Sequence, residues 1–304
     1  MDKYACPACN GNFFSQVIAT ERMYGIGGEF LYLECQNCQS LHLAKIPDNL
    51  SDFYPENYYA FRPQKSDGFL FRLIKKLRYN ISTYGISIFD NEYLGWLKDL
   101  ETSPNESIAD IGCGNGNLLW QLFYCGFKNL WGFDPYINAE LDLENFRIKR
   151  TPFLDVEGKF DVLMFHHSFE HFEDPKKAFN KIYKLLNRGG RALIRLPVTD
   201  GVVWKKEREY WFQLDAPRHL FIPSVIGMKA LGENFGLKLE KVVFDSLPNQ
   251  FFGTEIYKRG KNFVNFNLNK EFSKSELNTF VREARVFNIK RQGDQAAFFF
   301  KKWK

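Results

Sequence analysis

The sequence predicts an α/β fold: a doubly wound, mainly parallel sheet of seven strands, preceded by a small module built around cysteines. Three observations predict it. Residues 107–120, SIADIGCGNGNLLW, read as a buried strand, a tight glycine turn and the start of a helix. Downstream, apolar strand-like runs alternate with helix-like segments, the pattern of βαβ units. Ahead of that region stand two C-x2-C pairs, Cys6/Cys9 and Cys35/Cys38.

A chain of 304 residues has room for one large domain and one small one. Its 45% hydrophobic content and 32 Phe supply a sizeable core. The net charge of +5 includes no dense Lys/Arg tract, so nucleic acid is not an expected partner. The opening MDKYACPACN has no apolar signal core, and no run of 18 apolar residues occurs. A cytoplasmic protein is expected, and its six cysteines fit that compartment if four of them hold a metal.

Residues 1–45 read as a zinc ribbon. Four thiolates suit tetrahedral Zn²⁺, and each C-x2-C knuckle supplies two: Cys6 and Cys9, then Cys35 and Cys38. The segment between them reads as two strands around a Gly25–Gly28 turn. With no open coordination position the ion is structural, and its binding would supply folding energy that so small a core lacks. The competing reading is a redox pair or four free thiols.

Residues 46–89 read as a connector and an amphipathic helix. SDFYPENYYAFRP is aromatic and polar without a clean period; Tyr58 or Tyr59 either lines a ligand mouth or glues the parts together. Over 69–81, Leu70, Leu73, Ile74, Leu77 and Ile81 recur at helical spacing, with Arg72, Lys75, Lys76 and Arg78 opposite. Such a helix either covers its own domain or contacts an anionic membrane face peripherally.

The third segment, 90–304, starts near the glycine turn. Counting from Gly112, the dinucleotide pattern G-x-G-x-x-G places its last glycine at Asn117, so that fingerprint fails, and no Gly-Lys-Ser/Thr follows to make a P-loop. What stands is Asp110, then glycine at 112, 114 and 116; an acid before the turn suits a ligand with positive charge. A second acid, Asp134 in NLWGFDPY, closes the next strand 22 residues after Gly112, where a carboxylate can accept two ribose hydroxyls. With its acid-x-G-x-G-x-G turn this segment resembles the class I S-adenosylmethionine-dependent methyltransferases. The resemblance implies a Rossmann-like sheet whose last strand is antiparallel and inserted between the two before it. It also implies a cofactor site at Asp110, Gly112, Cys113, Gly114, Asp134, Pro135 and His166.

The remaining strands follow in order. FRIKR is a short third strand and KFDVLMFHH, 159–167, the fourth. Asp174 caps the next helix, with Pro175 as its first residue; the helix is expected to reach Arg188 before Gly189–Gly190 ends it. RALIRLP, LKLEKVVF and QAAFFFKKW complete the seven, with a helix capped by Ser224 between the first two. An insertion around 247–294 is too long for a bare loop and contains a helix capped at Ser273 or Ser275. It is expected to form a substrate wall or an oligomer contact.

In an open α/β sheet ligands bind at the carboxyl ends of the strands. Four of the five histidines fall there: His166, His167 and His171 after strand four, His219 after strand five. Methyl transfer to oxygen or carbon requires the acceptor to lose a proton, and a neutral histidine suits that role. The catalytic candidates are therefore His167, with His219 as alternative, and the pair Glu170–His171, which recurs in the resembled family after this strand and otherwise orients the loop. His167-x-x-Glu170-His171 is also similar to a metal-binding arrangement of ubiquinone-type O-methyltransferases, with histidine in place of their acid. Trp204, Tyr210, Trp211, Asp215 and Arg218 suit a sugar ring or a phosphorylated ligand, or else form a lid packed on the core.

The resemblance extends to Y-P-E-x-Y-Y and D-x-P-R-H stretches, which are similar to those of methyltransferases from bacterial glycan and secondary-metabolite gene clusters. It implies O- or C-methylation, before N-, of a small molecule: a sugar, nucleotide sugar or lipid-linked glycan. An RNA or protein methyltransferase gripping its polymer through the ribbon is the alternative, and a non-catalytic scaffold a third. The Asp/Asn-Pro-Pro-aromatic motif of DNA amine methylases is absent after strand four, and neither Cys113 nor Cys125 is placed as a pyrimidine-attacking nucleophile.

Overall fold

The structure, a computed structural model, describes residues 5–55 and 92–303. The expected helix over 69–81 and the tyrosines 58 and 59 lie outside the described residues.

The amino-terminal sheet grows from its alternating pattern. β1 (Phe14–Thr20) and β2 (Glu29–Cys35) pair antiparallel from Phe14↔Cys35 to Thr20↔Glu29. β3 (Leu41–Leu43) adds to β2, burying Leu41 and Leu43 on one face. β10 (Phe221–Ile222), from far along the chain, then adds to β3. The expected pair of strands is therefore a four-stranded sheet, because LHL has the period of a strand and the chain after the histidine-bearing loop supplies its partner. Cys6, Ala8, Cys35 and Cys38 pack with Phe221 and Met228 in one buried cluster, so this module shares the main core.

The larger sheet holds β4 (Ile108–Ile111), β5 (Leu130–Phe133), β6 (Leu141–Leu143), β7 (Phe146–Lys149), β8 (Phe160–His166), β9 (Leu186–Pro197), β11 (Leu237–Phe244) and β12 (Gln295–Lys302). Their order is β11-β12-β9-β8-β4-β5-β7-β6. Six run in one direction (β4, β5, β7, β8, β9 and β11), and β12 runs antiparallel between β9 and β11, the topology that the resemblance implies. Its AAFFF run is buried throughout, as an interior strand covered on both faces requires. The seven-strand expectation falls short by one: LDL pairs back on FRIK as an edge hairpin, too short to register as a strand from pattern alone.

Helices cover both faces. They are α1 (Glu92–Asp99), α2 (Asn117–Tyr124), α3 (Pro175–Leu185), α4 (Val202–Glu207), α5 (Val225–Asn234), α6 (Asn249–Lys258), α7 (Leu268–Glu271) and α8 (Lys274–Ile289). Asp174 caps α3 by accepting from the Lys177 N–H at 3.0 Å, and Ser224 caps α5 through Gly227 at 2.9 Å. α3 stops at Leu185, not at Arg188. Leu186 already pairs with Phe160, and the Asn187 amide reaches the Asp161 carboxylate at 2.7 Å, so the 186–190 stretch is drawn into β9. The insertion folds into α6–α8, with a capping box of Ser273 and Glu276 on α8. No helix among the described residues is long and apolar enough to cross a membrane.

Candidate active site

Beyond β4 the chain turns through Gly112, Gly114 and Gly116, all at positive φ (73°, 51° and 73°). A Cβ at Gly112 would lie 2.5 Å from that of Ser168, so glycine here lets the loop after β8 close onto the turn. Ser168 Oγ donates to the Ile111 carbonyl at 2.7 Å and pins the two loops together, a contact the sequence did not signal.

Both acids flank this turn. Asp134 accepts the Gly114 N–H at 3.0 Å on one oxygen and the Tyr136 N–H at 2.8 Å on the other. A carboxylate has about four acceptor positions, so capacity remains for two hydroxyls. Asp110 is buried, and that burial, followed by the charge of Asp134, pushes its carboxyl up to about 8. Two carboxylates crowded out of water are relieved by a cation. Pro135 follows half-buried, and the Cys113 thiol turns back under the loop, where a Cβ on Gly132 would lie 2.7 Å from its sulfur.

The end of β8 separates two neighbouring histidines, because alternate side chains leave a strand on opposite faces. His166 stacks on Trp96 of α1 with ring centroids 4.4 Å apart, and both its nitrogens are buried without a partner among the described residues. Burial drives its pKa well down, so the ring is neutral. His167, at φ 51°, turns the other way, with Nδ1 3.3 Å from Glu170 Oε1 and Nε2 3.0 Å from Arg195 Nη1.

Glu170 is fully buried. Burial alone would raise its carboxyl, but His167, His219 and His171 hold it at about 2. His171 donates from Nδ1 to the Arg218 carbonyl at 2.8 Å, with the Tyr54 hydroxyl 3.2 Å from the same nitrogen. His219 donates from Nδ1 to the Gln213 carbonyl at 2.8 Å. Burial lowers its pKa to about 4, which keeps it neutral, and its Nε2 lies 3.9 Å from Glu170 and 3.8 Å from Asp215. The structure thus gathers His167, Glu170, His171 and His219 into one cluster and leaves His166 on the other face.

Several residues of this network escaped sequence reasoning. Arg195 of β9 donates from Nε to Asp245 at 2.6 Å, and Asp245 also accepts from Gln295 at 2.9 Å. Asp294 is fully buried, its carboxyl raised by burial to about 6 while Trp211 Nε1 donates to it at 2.8 Å. Glu21, in the tip joining β1 to β2, meets Arg218 Nη2 at 2.7 Å. No local motif marks pairs so distant in sequence.

Trp204 and Trp211 are fully buried, and Arg218 is fixed between Asp215 and Glu21. For Trp204, Trp211, Asp215 and Arg218 the structure shows the packed reading, and the two indoles offer no face to a sugar; Tyr210 is half-buried, with the Arg22 guanidinium 4.6 Å from its ring centroid.

A family model described as a methyltransferase domain matches residues 86–242, just over half of the chain. The chain belongs to that methyltransferase family. It is 30% identical over 133 residues to a tRNA U34 carboxymethyltransferase of Campylobacter hominis, covering 38% of this chain and 46% of the relative. A Wolinella succinogenes protein of the same name is 31% identical over 133 residues, 38% of this chain and 48% of its own. The chain spans about half the length of the curated relatives it matches. Among solved structures, a complex between the Haloferax volcanii Trm112 methyltransferase activator and a methyltransferase superposes with a TM-score of 0.50 at 13% identity. That match covers 86% of this chain and all of the other, a likeness of fold.

Alongside the methyltransferase domain, the four amino-terminal cysteines converge. The Cys6–Cys38 and Cys9–Cys35 sulfur pairs are each 3.6 Å apart, and all four sulfurs lie within 4.8 Å of one another. That is too far for a disulfide and close to the roughly 3.8 Å edge of a tetrahedron with Zn–S bonds of about 2.3 Å. Asn10 and Gln39, each next to a knuckle's second cysteine, take positive φ (60° and 63°) to turn the chain around the sulfurs. The residues fit a zinc ion.

Proposed function

We propose that this protein transfers a methyl group from S-adenosylmethionine to an acceptor held beside the Glu170–His171–His219 cluster, and that Cys6, Cys9, Cys35 and Cys38 hold a structural Zn²⁺. The arrangement of Asp110 and Asp134 around the glycine turn carries the reading. The donor supplies an electrophilic methyl on a sulfonium. Asp134 keeps acceptor positions for the ribose hydroxyls, Asp110 supplies negative charge for the donor's cationic end, and Gly112 and Gly114 let the backbone approach it. Proton loss from the acceptor is assigned to the cluster and not to His167, whose Nε2 lone pair is already taken by Arg195. That assignment suits an oxygen or carbon acceptor.

For the acceptor, the relatives named as tRNA U34 carboxymethyltransferases support RNA. A small molecule such as a sugar, nucleotide sugar or lipid-linked glycan is the second reading, favoured by the ribbon's charge. Residues 1–45 carry Lys3, Arg22 and Lys45 against Asp2, Glu21, Glu29 and Glu34, which is no footing for phosphates. Isotope-labelled S-adenosylmethionine offered with bulk tRNA, nucleotide sugars or a glycolipid extract decides. Label in tRNA supports the first reading and label in a sugar fraction the second. Absence of donor binding by calorimetry at millimolar ligand would reject both and favour a scaffold.

A further inference from the structure

Glu170, His171 and His219 form a constellation that hydrogen bonding alone does not explain. Each imidazole spends its Nδ1 proton on a backbone carbonyl, His171 on Arg218 and His219 on Gln213, both at 2.8 Å. That fixes the tautomer of each neutral ring, whose lone pair then lies on Nε2. The rings stand edge to face with centroids 5.0 Å apart. Beside them lies a carboxylate at zero exposure: its Oε1 has only the His167 Nδ1 at 3.3 Å, and its Oε2 has no hydrogen-bond partner among the described residues. A fully buried acid with one oxygen left unpartnered is costly unless a cation completes it.

One ligand atom from each of the three residues falls within 4.8 Å of the others. We propose that these residues bind a divalent first-row transition ion, distinct from the ion of the cysteines. Two neutral imidazoles, each oriented by a carbonyl behind it, and one carboxylate make a ligand set for Mn²⁺, Fe²⁺, Co²⁺ or Zn²⁺ with positions left open for an exogenous oxygen ligand. Ligands about 2.1 Å from an ion sit roughly 3 Å apart, so the 3.9 Å between His219 Nε2 and Glu170 Oε1 closes with a small rotation of Glu170.

His167 stands outside the ligand set. Its Nδ1 faces Glu170 from the opposite side, and its Nε2 is engaged by Arg195. This departs from the H-x-x-E-H reading of the sequence: the third ligand comes from the loop after β9, not from the loop after β8. Asp215, also near His219, is excluded because both its oxygens accept from Arg218, at 2.6 and 3.0 Å. The half-buried His171 gives the site its open side. An ion there would bind an acceptor through its hydroxyl or carbonyl oxygen and lower the pKa of that hydroxyl, or of the carbon beside that carbonyl, so that the cluster promotes proton loss through the ion and the proton leaves to water by the open side. The proposal rests on the cluster being the acceptor site but not on donor binding, so the two can fail separately.

The test titrates MnCl₂ into zinc-loaded full-length protein and follows free Mn²⁺ by its electron paramagnetic resonance signal. Mn²⁺ is a poor match for a thiolate cage, so the cysteines do not compete. One Mn²⁺ per chain is expected, lost or weakened at least tenfold in both Glu170→Gln and His219→Ala and unchanged in Asp134→Ala. Far-ultraviolet dichroism verifies that all three variants fold, and S-adenosylmethionine affinity does so for Glu170→Gln and His219→Ala. Absence of Mn²⁺ uptake by protein that still binds donor overturns the proposal, as does uptake that survives both substitutions. Should His219→Ala misfold, Glu170→Gln, nearly isosteric, decides alone.

Discussion

Arg195 Nη1 lies 3.0 Å from His167 Nε2 across the tips of β9 and β8. Arginine only donates, so this contact fixes the histidine tautomer: Nε2 accepts and the proton stays on Nδ1, toward Glu170. The same guanidinium holds Asp245 through Nε at 2.6 Å. A lysine cannot serve both partners, because its single ammonium lacks the fork. Arg195→Lys frees His167 to turn away from Glu170, which it holds in place within the cluster, and is expected to lower kcat about tenfold. Donor affinity should stay within about twofold by calorimetry. An equal loss of donor affinity would place Arg195 in the cofactor pocket instead.

Asp134 is the sharper probe of the donor. Its oxygens already hold the Gly114 and Tyr136 N–H groups, so removing them costs both the loop's shape and any hydroxyl contacts. Asp134→Ala should weaken S-adenosylmethionine at least tenfold, consistent with charge-assisted hydrogen bonds worth about 1.5–3 kcal/mol each. Far-ultraviolet dichroism should not change. Wild-type affinity would refute the ribose assignment.

Asp110 sets a pH dependence. In the folded, donor-free protein its carboxyl is raised by burial and by Asp134 to about 8, above the ordinary 3.8. The native state therefore keeps a proton that the unfolded chain gives up, and this group's contribution to stability falls as pH rises from about 4 to about 8. Donor binding has the opposite sign: a cationic ligand favours the ionised acid. S-adenosylmethionine affinity should rise with pH towards about 8, by at most about tenfold per pH unit. In Asp110→Asn the slope should vanish, and a calorimetric titration at three pH values with both proteins reads it directly. A slope that persists in the variant would move the titration to another group.

What the sequence made legible follows from range. The glycine turn, Asp134, the caps at Asp174, Ser224 and Ser273, and the strands 237–244 and 295–302 are specified by residues close to one another, so local pattern reached them. β6 and β10 were missed because each is two or three residues long and exists only through its partner. The histidine cluster was half legible. Proximity of His171 to His219 followed from loops sharing the sheet's carboxyl rim, but which nitrogen each ring exposes depends on the carbonyls of Arg218 and Gln213. His166 parts from His167 by strand alternation, a rule available from the start and obscured by their adjacency. Burial of Trp204 and Trp211 depends on Glu34 and Asp294, more than 80 residues away in sequence, which receive their indole N–H groups.

The junction between the amino-terminal sheet and the histidine-bearing loop yields the last prediction. Arg218 has no exposed surface and is shared between Asp215 and Glu21, while its Nη1 donates to the Phe53 carbonyl at 2.9 Å. Glu21 also accepts the N–H groups of Tyr24 and Ile26, each at 2.9 Å, which shapes the tip between β1 and β2. From the same sheet Tyr32 donates its hydroxyl to the His219 carbonyl at 2.9 Å. One buried carboxylate thus ties the tip to the loop that presents His219. Breaking a buried ion pair by removing one partner costs about 3–5 kcal/mol, because the other charge is stranded. Glu21→Ala should destabilise by that amount in urea, and the loss should appear in the whole domain as a single transition, since β10 completes the amino-terminal sheet from within the catalytic region. Tryptophan fluorescence, which includes the buried Trp204 and Trp211 at this junction, and far-ultraviolet dichroism should report the same midpoint. Two separated transitions would show that the amino-terminal sheet unfolds on its own and that Arg218 does not couple it to the site.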